Sequence, residues 1–244
     1  MNKLFINFNA WSKGVILLLK PHIFFGFLAR PFKFFSNLIY LSSWISKQDR
    51  KSILNDFFTS KRDHNKREKL YEYVTNQFQL TQVEVLYLEF GVFQGSSFRW
   101  WLNANKNKAS EFFGFDTFEG LPEDWGVFFS KGTFATSIPE LMDSRGRFIK
   151  GLFQDTLSAF IEQNDLHKDR KKIIHMDADL FSSTIYTLSL LRPYLKSGDI
   201  LLFDEFNVPN HEFAAFKIIT ESFYLKTKLI AAVNNYYQVA FIVE

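Results

Sequence analysis

The sequence contains no cysteine among its 244 residues. Disulfides, thiolate metal ligands and a cysteine nucleophile are therefore excluded, and any metal must be held by oxygen or by imidazole nitrogen. The absence of thiols also fits a reducing compartment. We therefore expect a cytoplasmic protein, with contact to the inner face of the membrane as an open alternative for the N-terminal segment.

Acidic residues are absent from the first 48 positions. Since the whole chain has a net charge of +3, the six positive charges of this segment leave −3 for the residues from 49 onward. A small overall charge with an acidic remainder argues against nucleic acid as the main partner. The basic residues of the segment are Lys3, Lys13, Lys20, Arg30, Lys33 and Lys47.

The N-terminal segment also lacks a long apolar run, although it is rich in Phe and Trp. Its uncharged stretch from Phe34 to Ser46 has 13 residues, fewer than the ~20 that span a bilayer. Apolar residues recur there at helical spacing, which predicts an amphipathic helix. Three alternatives follow: helices that pack on the rest of the chain or on a second subunit in a homo-oligomer, an anchor on an anionic membrane surface, and a true span, which the short length disfavours.

Further along, short apolar runs alternate with helical or loop stretches, at residues 83–90, 112–115, 173–176 and 200–203. This alternation is typical of a parallel sheet covered on both faces. Two strand-like runs around Asn234-Asn235 end the chain. We predict an α/β fold whose mostly parallel sheet ends in an antiparallel hairpin, with a helical extension at residues 1–60 and one domain at residues 61–244.

A glycine loop follows the first of these strands. Gly91 and Gly95 allow a tight turn and close approach of the backbone to a ligand, and a helix is predicted to begin near Ser96. The G-x-G-x-x-G pattern of dinucleotide-binding folds is absent. Glu89, next to the loop, would be unfavourable beside a pyrophosphate but suits a ligand that carries an ammonium and a sulfonium. Asp116 ends the next strand, where a carboxylate can bind both hydroxyls of a ribose.

Two acidic pairs end the following two strands, Asp177 with Asp179 and Asp204 with Glu205. Because ligands bind outside the carboxyl ends of the strands in such a sheet, we expect the four carboxylates to converge. Converging carboxylates raise one another's pKa unless a cation compensates. Hard oxygen ligands favour Mg²⁺, with Mn²⁺ or Ca²⁺ as substitutes. His175, on the strand before Asp177, is more typical of a core histidine than of a ligand.

Five motifs occur in order along the chain: LEFGVFQGSS, GFDTFEGLPEDW, GLFQDTL, HMDADLFSST and GDILLFDEF. Together they resemble the macrocin O-methyltransferase family, whose members methylate sugar hydroxyls on macrolides, aminocoumarins and related glycosides. The resemblance covers about residues 69–244 and barely touches residues 1–50. It implies the class I, Rossmann-like methyltransferase fold, S-adenosylmethionine as cofactor, Mg²⁺ as metal, and a sugar or glycoside hydroxyl as acceptor.

The resemblance also implies roles for individual positions. The metal ligands correspond to Asp177, Asp204 and Glu205, and Asp179 corresponds to the general base. Glu205 stands where the family usually has Asp, a departure that bears on metal dependence. The positions implied to bind S-adenosylmethionine, with Asp116 at the ribose and the last two near the adenine, are Glu89, Gly91, Gly95, Ser96, Asp116, Gln154 and Asp155.

The long connection at residues 117–147 is rich in aromatic residues and exceeds an ordinary loop. We interpret it as a lid that excludes water and stacks on a sugar ring, with surface packing as the alternative use of Trp125, Phe128, Phe129 and Phe134. Two other functions remain open. One is a catechol-type small-molecule O-methyltransferase, and the other is a non-catalytic, membrane-peripheral scaffold of the same fold.

Overall fold

The apolar runs of the sequence form the centre of one eight-stranded sheet in the computed structural model, which describes residues 3–126 and 129–244. The strand order is β1-β7-β8-β6-β5-β2-β3-β4. All neighbours pair in parallel except β6 with β8 and β7 with β8, which are antiparallel. The strands are β1 (Leu54–Asn55), β2 (Val85–Phe90), β3 (Glu111–Asp116), β4 (Gly146–Lys150), β5 (Lys171–Met176), β6 (Ile200–Phe203), β7 (Thr227–Val233) and β8 (Gln238–Val243).

Helices connect the strands and cover both faces of the sheet. Their bounds are α1 (Lys3–Leu18), α2 (Pro21–Phe25), α3 (Ala29–Ser46), α4 (Lys66–Gln77), α5 (Ser96–Ala104), α6 (Phe153–Gln163), α7 (Phe181–Leu191) and α8 (Glu212–Ser222).

The strand β2 shows why the central runs are mostly apolar. Leu86, Leu88 and Phe90 belong to one buried apolar cluster, whereas Val85 and Tyr87 belong to the cluster on the opposite face. Since successive side chains of a strand point to opposite faces, a strand covered on both sides is apolar at most positions, and the buried Glu89 is the exception in β2. The predicted α/β fold, with its parallel strands, terminal hairpin and N-terminal helices, is confirmed.

Two strands were not predicted. β1 has only two residues and pairs with β7. It precedes the domain boundary that we expect at residue 60. β4 lies at the edge of the sheet beside β3 and has no fully buried residue. Short or half-exposed strands carry no continuous apolar run, so the sequence pattern that marks the central strands is missing from both.

The order of the central strands positions the functional residues. From β2 the chain continues outward through β3 and β4 on one side, and through β5 and β6 on the other. The gap between the carboxyl ends of β2 and β5 is therefore a topological switch point, where ligands bind in sheets of this kind. The glycine loop leaves β2 there, and Asp177 follows β5.

The N-terminal helices differ from the rest of the molecule. None of the residues of α1 or α2 is buried, whereas the end of α3 packs on the sheet domain through Leu41 and Trp44. Within the described residues, no single helix is both long and apolar enough to cross a membrane. The segments Lys3–Leu18 and Pro21–Ser46, bent by 60° relative to each other, meet the length and composition criterion only as a pair.

Candidate active site

A cavity of about 490 Å³ opens at the carboxyl ends of the central strands. Its size is in the usual range for a small-molecule site. One side is formed by the glycine loop and the end of β3, and the other by the acidic residues after β5 and β6. Aromatic side chains of the 117–147 connection line the remaining wall. The cavity therefore joins the two sets of residues that the sequence predicts as a cofactor site and a metal site.

Gly91 holds the two sides of the cavity close together. Its φ is +95°, and a Cβ at this position would lie 1.8 Å from the backbone carbonyl oxygen of Asp177. No other residue type can accept both that conformation and that approach. The glycine thus permits contact between the loop and the strand that carries Asp177, in addition to lining the cavity itself.

Asp116 organises the glycine loop. One of its carboxylate oxygens accepts hydrogen bonds from the backbone N–H groups of Val92 and Phe93, both at 2.8 Å, and the other accepts one from Phe118 at 2.7 Å. The residue is half-buried and lines the cavity. A carboxylate has about four acceptor positions, so the three backbone contacts leave capacity for a ligand hydroxyl.

The other predicted cofactor positions divide into two groups. Gln154, in the first turn of α6, lines the cavity. Glu89, Gly95, Ser96 and Asp155 are not among the described residues that line it. Glu89 is instead fully buried beneath the loop, where it accepts hydrogen bonds from the hydroxyls of Tyr87 and Ser97.

The four predicted acids do converge. Ligand oxygens of Asp177, Asp179 and Glu205 lie within 4.8 Å of one another, and those of Asp177 and Asp204 do so in a second group with His175. Burial, together with the charges of Asp204 and Glu205, raises the pKa of Asp177 well above its usual range. Burial and the neighbouring Asp204 and Asp179 act in the same direction on the pKa of Glu205.

Asp179 differs from its neighbours in conformation and in environment. Its φ of 57° is unusual for a residue other than glycine. Burial and the nearby Asp177 raise the pKa of Asp179 to about 7. Carboxylate oxygens of Asp179 and Glu205 lie within 4.8 Å of each other, and the pKa of both groups is raised, so the cluster holds protons more readily than isolated carboxylates do when no cation is present.

The acid cluster fits a hard cation. Asp204 Oδ1 and Glu205 Oε2 are buried and have no hydrogen-bond partner among the described residues. An unpartnered buried carboxylate oxygen is costly, and a divalent cation would remove that cost. The departure from Asp to Glu at position 205 does not withdraw its carboxylate from the cluster. Oxygen donors of this number and kind suit Mg²⁺.

Three residues that the sequence did not point to complete the cluster. Arg67, on α4, places Nη1 at 3.1 Å from Asp204 Oδ2 and at 3.8 Å from Asp177 Oδ2. The Tyr237 hydroxyl donates to Glu205 Oε1 at 2.9 Å. Glu212 accepts a hydrogen bond from the Glu205 backbone N–H at 3.0 Å, and its other oxygen is buried without a partner in the described chain. Arg67 and Tyr237 line the cavity.

His175 is a core residue, as expected from its strand position. It is buried, and its two ring nitrogens are hydrogen-bonded to hydroxyls: Nδ1 to Tyr87 at 2.8 Å and Nε2 to Tyr71 at 3.3 Å. With both nitrogens engaged, the imidazole connects β2, β5 and α4 beneath the site.

Aromatic residues of the 117–147 connection line the outer part of the cavity. Trp125 and Phe129 stack with ring centroids 5.1 Å apart, and Phe129 contacts Phe134 at 5.2 Å. All three line the cavity. Phe128, predicted as part of the same set, lies outside the described residues.

Comparison with known proteins agrees with this geometry. Residues 88–206 match the family model described as a methyltransferase domain, Methyltransf_24. The chain is 27% identical over 143 residues to an 8-demethyl-8-(2,3-dimethoxy-alpha-L-rhamnosyl)-tetracenomycin-C 4'-O-methyltransferase from Streptomyces olivaceus. That alignment covers 50% of this chain and 52% of the relative, so the chain spans about half the length of the curated relative it matches.

Two solved structures show the same fold. One is CalS11, a calicheamicin methyltransferase, with a TM-score of 0.59, 17% identity, and coverage of 85% of this chain and 91% of that chain. The other is the O-methyltransferase NovP, with a TM-score of 0.51, 21% identity, and coverage of 73% and 77%. Residues 88–206 therefore resemble a methyltransferase domain, and the two structures show that this chain shares their fold.

Proposed function

We propose that this chain is a Mg²⁺-assisted O-methyltransferase that transfers the methyl group of S-adenosylmethionine to a hydroxyl of a sugar or glycoside. One observation carries the proposal. A single cavity joins the glycine loop and Asp116 to a buried acid cluster that has two unpartnered carboxylate oxygens. A methyl donor and a metal-oriented acceptor would therefore meet within one enclosed space.

On the cofactor side, Gly91, Asp116 and Gln154 line the cavity and would contact S-adenosylmethionine directly. Asp116 would accept the ribose hydroxyls while it keeps the loop in place. Gly95 and Ser96 begin α5 behind the loop, and Asp155 lies beside Gln154, so these residues would shape the site. Glu89 would act through the Ser97 hydroxyl, from which it accepts a hydrogen bond. Its buried charge would favour a cationic ligand above it.

On the acceptor side, Asp177, Asp204 and Glu205 would hold the metal. Bound Mg²⁺ orients the acceptor hydroxyl and lowers its pKa. Arg67 already offsets part of the negative charge on Asp204 and Asp177. Tyr237 restricts the Glu205 side chain through its hydrogen bond.

Asp179 would be the general base. Its carboxylate oxygen lies within 4.8 Å of ligand oxygens of Asp177 and Glu205, so it would stand beside a hydroxyl held by the metal, within the reach that a general base requires. The C–S bond of the sulfonium breaks as the new O–C bond forms, and the hydroxyl proton passes to the Asp179 carboxylate. The backbone at Asp179 is in the left-handed region. Strained backbone of this kind occurs often at functional sites.

The sugar acceptor is supported by two observations. The Streptomyces olivaceus relative is named as a 4'-O-methyltransferase of a rhamnosyl-bearing tetracenomycin, and the stacked pair Trp125 and Phe129 offers a flat apolar surface on which a sugar ring could pack. We propose that the 117–147 connection closes as a lid over the acceptor. We also propose residues 61–244 as the catalytic domain and residues 1–60 as its extension.

Titration calorimetry with S-adenosylmethionine tests the cofactor site. We expect binding by the full chain and at least a tenfold loss of affinity in Asp116→Asn, because that side chain both shapes the loop and faces the ligand. Asp165→Asn is the matched control, since Asp165 also accepts backbone N–H groups, from His167 and Lys168, but does not line the cavity. Binding of NAD without binding of S-adenosylmethionine would overturn the proposal.

An acceptor screen tests the reaction. The full chain is incubated with labelled S-adenosylmethionine, with Mg²⁺ or EDTA, and with rhamnosides or catechols. We expect transfer to a glycoside that requires Mg²⁺ and is lost in Asp204→Asn, while that variant still binds S-adenosylhomocysteine. Transfer to catechols alone would replace the sugar acceptor with a catechol-type one. Donor binding with no transfer and no metal binding would favour a non-catalytic scaffold.

A further inference from the structure

The N-terminal helices expose far more apolar surface than the rest of the molecule. Among the described residues, nineteen of the twenty-nine exposed large apolar side chains lie between positions 4 and 40. At ~100 Å² each, they expose an apolar area on the order of 2,000 Å² in total, and soluble monomers rarely leave so many large apolar side chains exposed in one segment. We call residues 3–40 the N-terminal surface.

The exposed residues of α1 are ordered along the helix. Leu4, Phe8, Trp11 and Leu18, with the half-buried Val15 between them, recur at intervals of four and three residues, so they share one face. The Phe8 and Trp11 rings lie 6.3 Å apart on it. Lys13 and Asn9 lie on the opposite face. That opposite side also carries the exposed Ile6 and Leu17, so it is mixed in character, whereas the first face is apolar throughout. Nothing in the described chain covers the apolar face.

Charge identifies what could cover it. The N-terminal surface contains five basic residues and no acidic residue, and all five basic side chains are exposed. A second copy placed on this face would bring like charges together. An anionic lipid surface would accept the apolar side chains and attract the basic ones.

The length and bend of the helices fit binding at the membrane surface. α1 has 16 residues, or about 24 Å of helix, which is shorter than the ~30 Å hydrocarbon core. The next helical segment is bent from it by 60°. Trp11 is of the type that concentrates at the boundary between headgroups and acyl chains, and Phe and Leu are typical of the apolar face of an interfacial helix.

Contacts of α3 place this surface beside the cavity. Asn37 Nδ2 donates to Asn210 Oδ1 at 2.8 Å, and Lys33 Nζ lies 5.6 Å from the centre of the Phe181 ring. Phe181 is two residues after Asp179, so the acidic side of the cavity adjoins the region where α3 leaves the domain.

We propose that the N-terminal surface binds an anionic lipid bilayer, with the apolar face of α1 in the interfacial region and the basic residues at the headgroups. This proposal is independent of the catalytic function, since it requires no cofactor, metal or acceptor. It assigns to residues 3–40 a partner of defined chemistry, and it positions the acidic side of the cavity near the membrane.

Vesicle flotation with the full chain tests the proposal. The probes are phosphatidylcholine vesicles with or without about one third phosphatidylglycerol. We expect strong binding to the anionic vesicles and at least a tenfold weaker binding of Phe8→Ser/Trp11→Ser. The matched control is Met142→Ser/Tyr224→Ser, which removes two similarly exposed side chains outside the N-terminal surface and should bind as the parent chain does.

A second measurement separates bilayer binding from self-association. Lipids with brominated acyl chains should quench the fluorescence of the parent chain, and Trp11→Phe should remove part of that quenching. Circular dichroism of each variant checks that the fold is retained. The proposal is overturned if the parent chain does not bind anionic vesicles, or if the two double variants bind alike. It is also overturned if light scattering shows a dimer of the parent chain that Phe8→Ser/Trp11→Ser dissociates, with no vesicle binding by either protein.

Discussion

At the scale of single residues, Gly91 is where the cofactor loop and the acid cluster meet. A Cβ at Gly91 would lie 1.8 Å from the Asp177 carbonyl oxygen, and the position also has a positive φ. We expect Gly91→Ala to lower the free energy of unfolding by more than about 3 kcal/mol. Gly132→Ala is the control, because Gly132 has φ +85° but open space around its Cβ; strain alone should cost about 1 kcal/mol. Equal losses in urea unfolding would show that the close approach is unimportant.

Protonation of the acid cluster predicts an inverse pH dependence for the metal-free protein. The pKa of Asp179 rises from 3.8 to about 7 on folding. The stability that this group contributes is therefore fully present below the unfolded pKa and is lost as the pH rises through the folded one. In EDTA, the thermal midpoint should be higher at about pH 5 than at about pH 8, and Asp179→Asn should reduce that difference.

The same experiment tests the metal site. At about pH 8 the carboxylates of the cluster repel one another, and a divalent cation can replace the protons that stabilise them at lower pH. Addition of Mg²⁺ should therefore raise the midpoint of the parent chain and have much less effect on Asp204→Asn. A midpoint that does not respond to Mg²⁺ or Mn²⁺ in either protein would contradict metal binding by this cluster.

The acids of the site could be predicted from the sequence because each follows an apolar strand. Strand ends meet at one edge of a parallel sheet, so position in the chain determines position in space. Arg67 and Tyr237 do not follow an apolar strand, so the sequence does not single them out. Arg67 lies on a helix before the first central strand, and Tyr237 lies in the turn of the terminal hairpin. Glu89 was recognised as unusual, but its partners, Tyr87 and Ser97, could be identified only from the folded structure.

At the scale of elements, Trp44 makes many of the contacts that attach α3 to the domain, beside the buried Leu41. The Trp44 ring contacts five aromatic rings, those of Phe206, Phe213, Phe216, Tyr236 and Phe241, at centroid distances of 5.1–6.3 Å. This attachment explains why the stretch predicted as an amphipathic helix has its buried residues near its C-terminal end. Its N-terminal part, with Phe32 and Phe35, remains exposed.

Substitution of Trp44 should therefore destabilise the domain, whereas substitution of a similar residue in α1 should not. We expect Trp44→Ala to cost about 2–4 kcal/mol in urea unfolding, because a partly buried aromatic contact is lost and a cavity is left. Trp11→Ala, at a side chain that is 65% exposed, should change stability by less than about 0.5 kcal/mol. Comparable losses would mean that α1 packs on the domain in solution.

At the scale of the whole molecule, charge and apolar surface are divided between two regions. The first 48 residues carry six basic residues and no acid, while the remainder carries the acidic cavity and a net charge of −3. Composition alone showed this division but left open what the N-terminal segment contacts. The fold disfavours packing of α1 and α2 on the domain, since neither helix buries a residue against it.

The division predicts how salt affects vesicle binding. Attraction between basic residues and anionic lipid contributes about 1 kcal/mol per residue near the surface and is screened within ~8–10 Å at moderate salt. Burial of apolar side chains is not screened. Raising NaCl from about 0.05 to about 0.5 M should therefore weaken binding to anionic vesicles without abolishing it.

Two double variants separate the contributions of charge and apolar burial. Lys13→Gln/Lys20→Gln should bind more weakly at low salt and respond less to added salt. Phe8→Ser/Trp11→Ser should keep the salt dependence and lose most of the binding that persists at high salt. Complete loss of parent binding at high salt would show that the exposed apolar residues do not enter the bilayer.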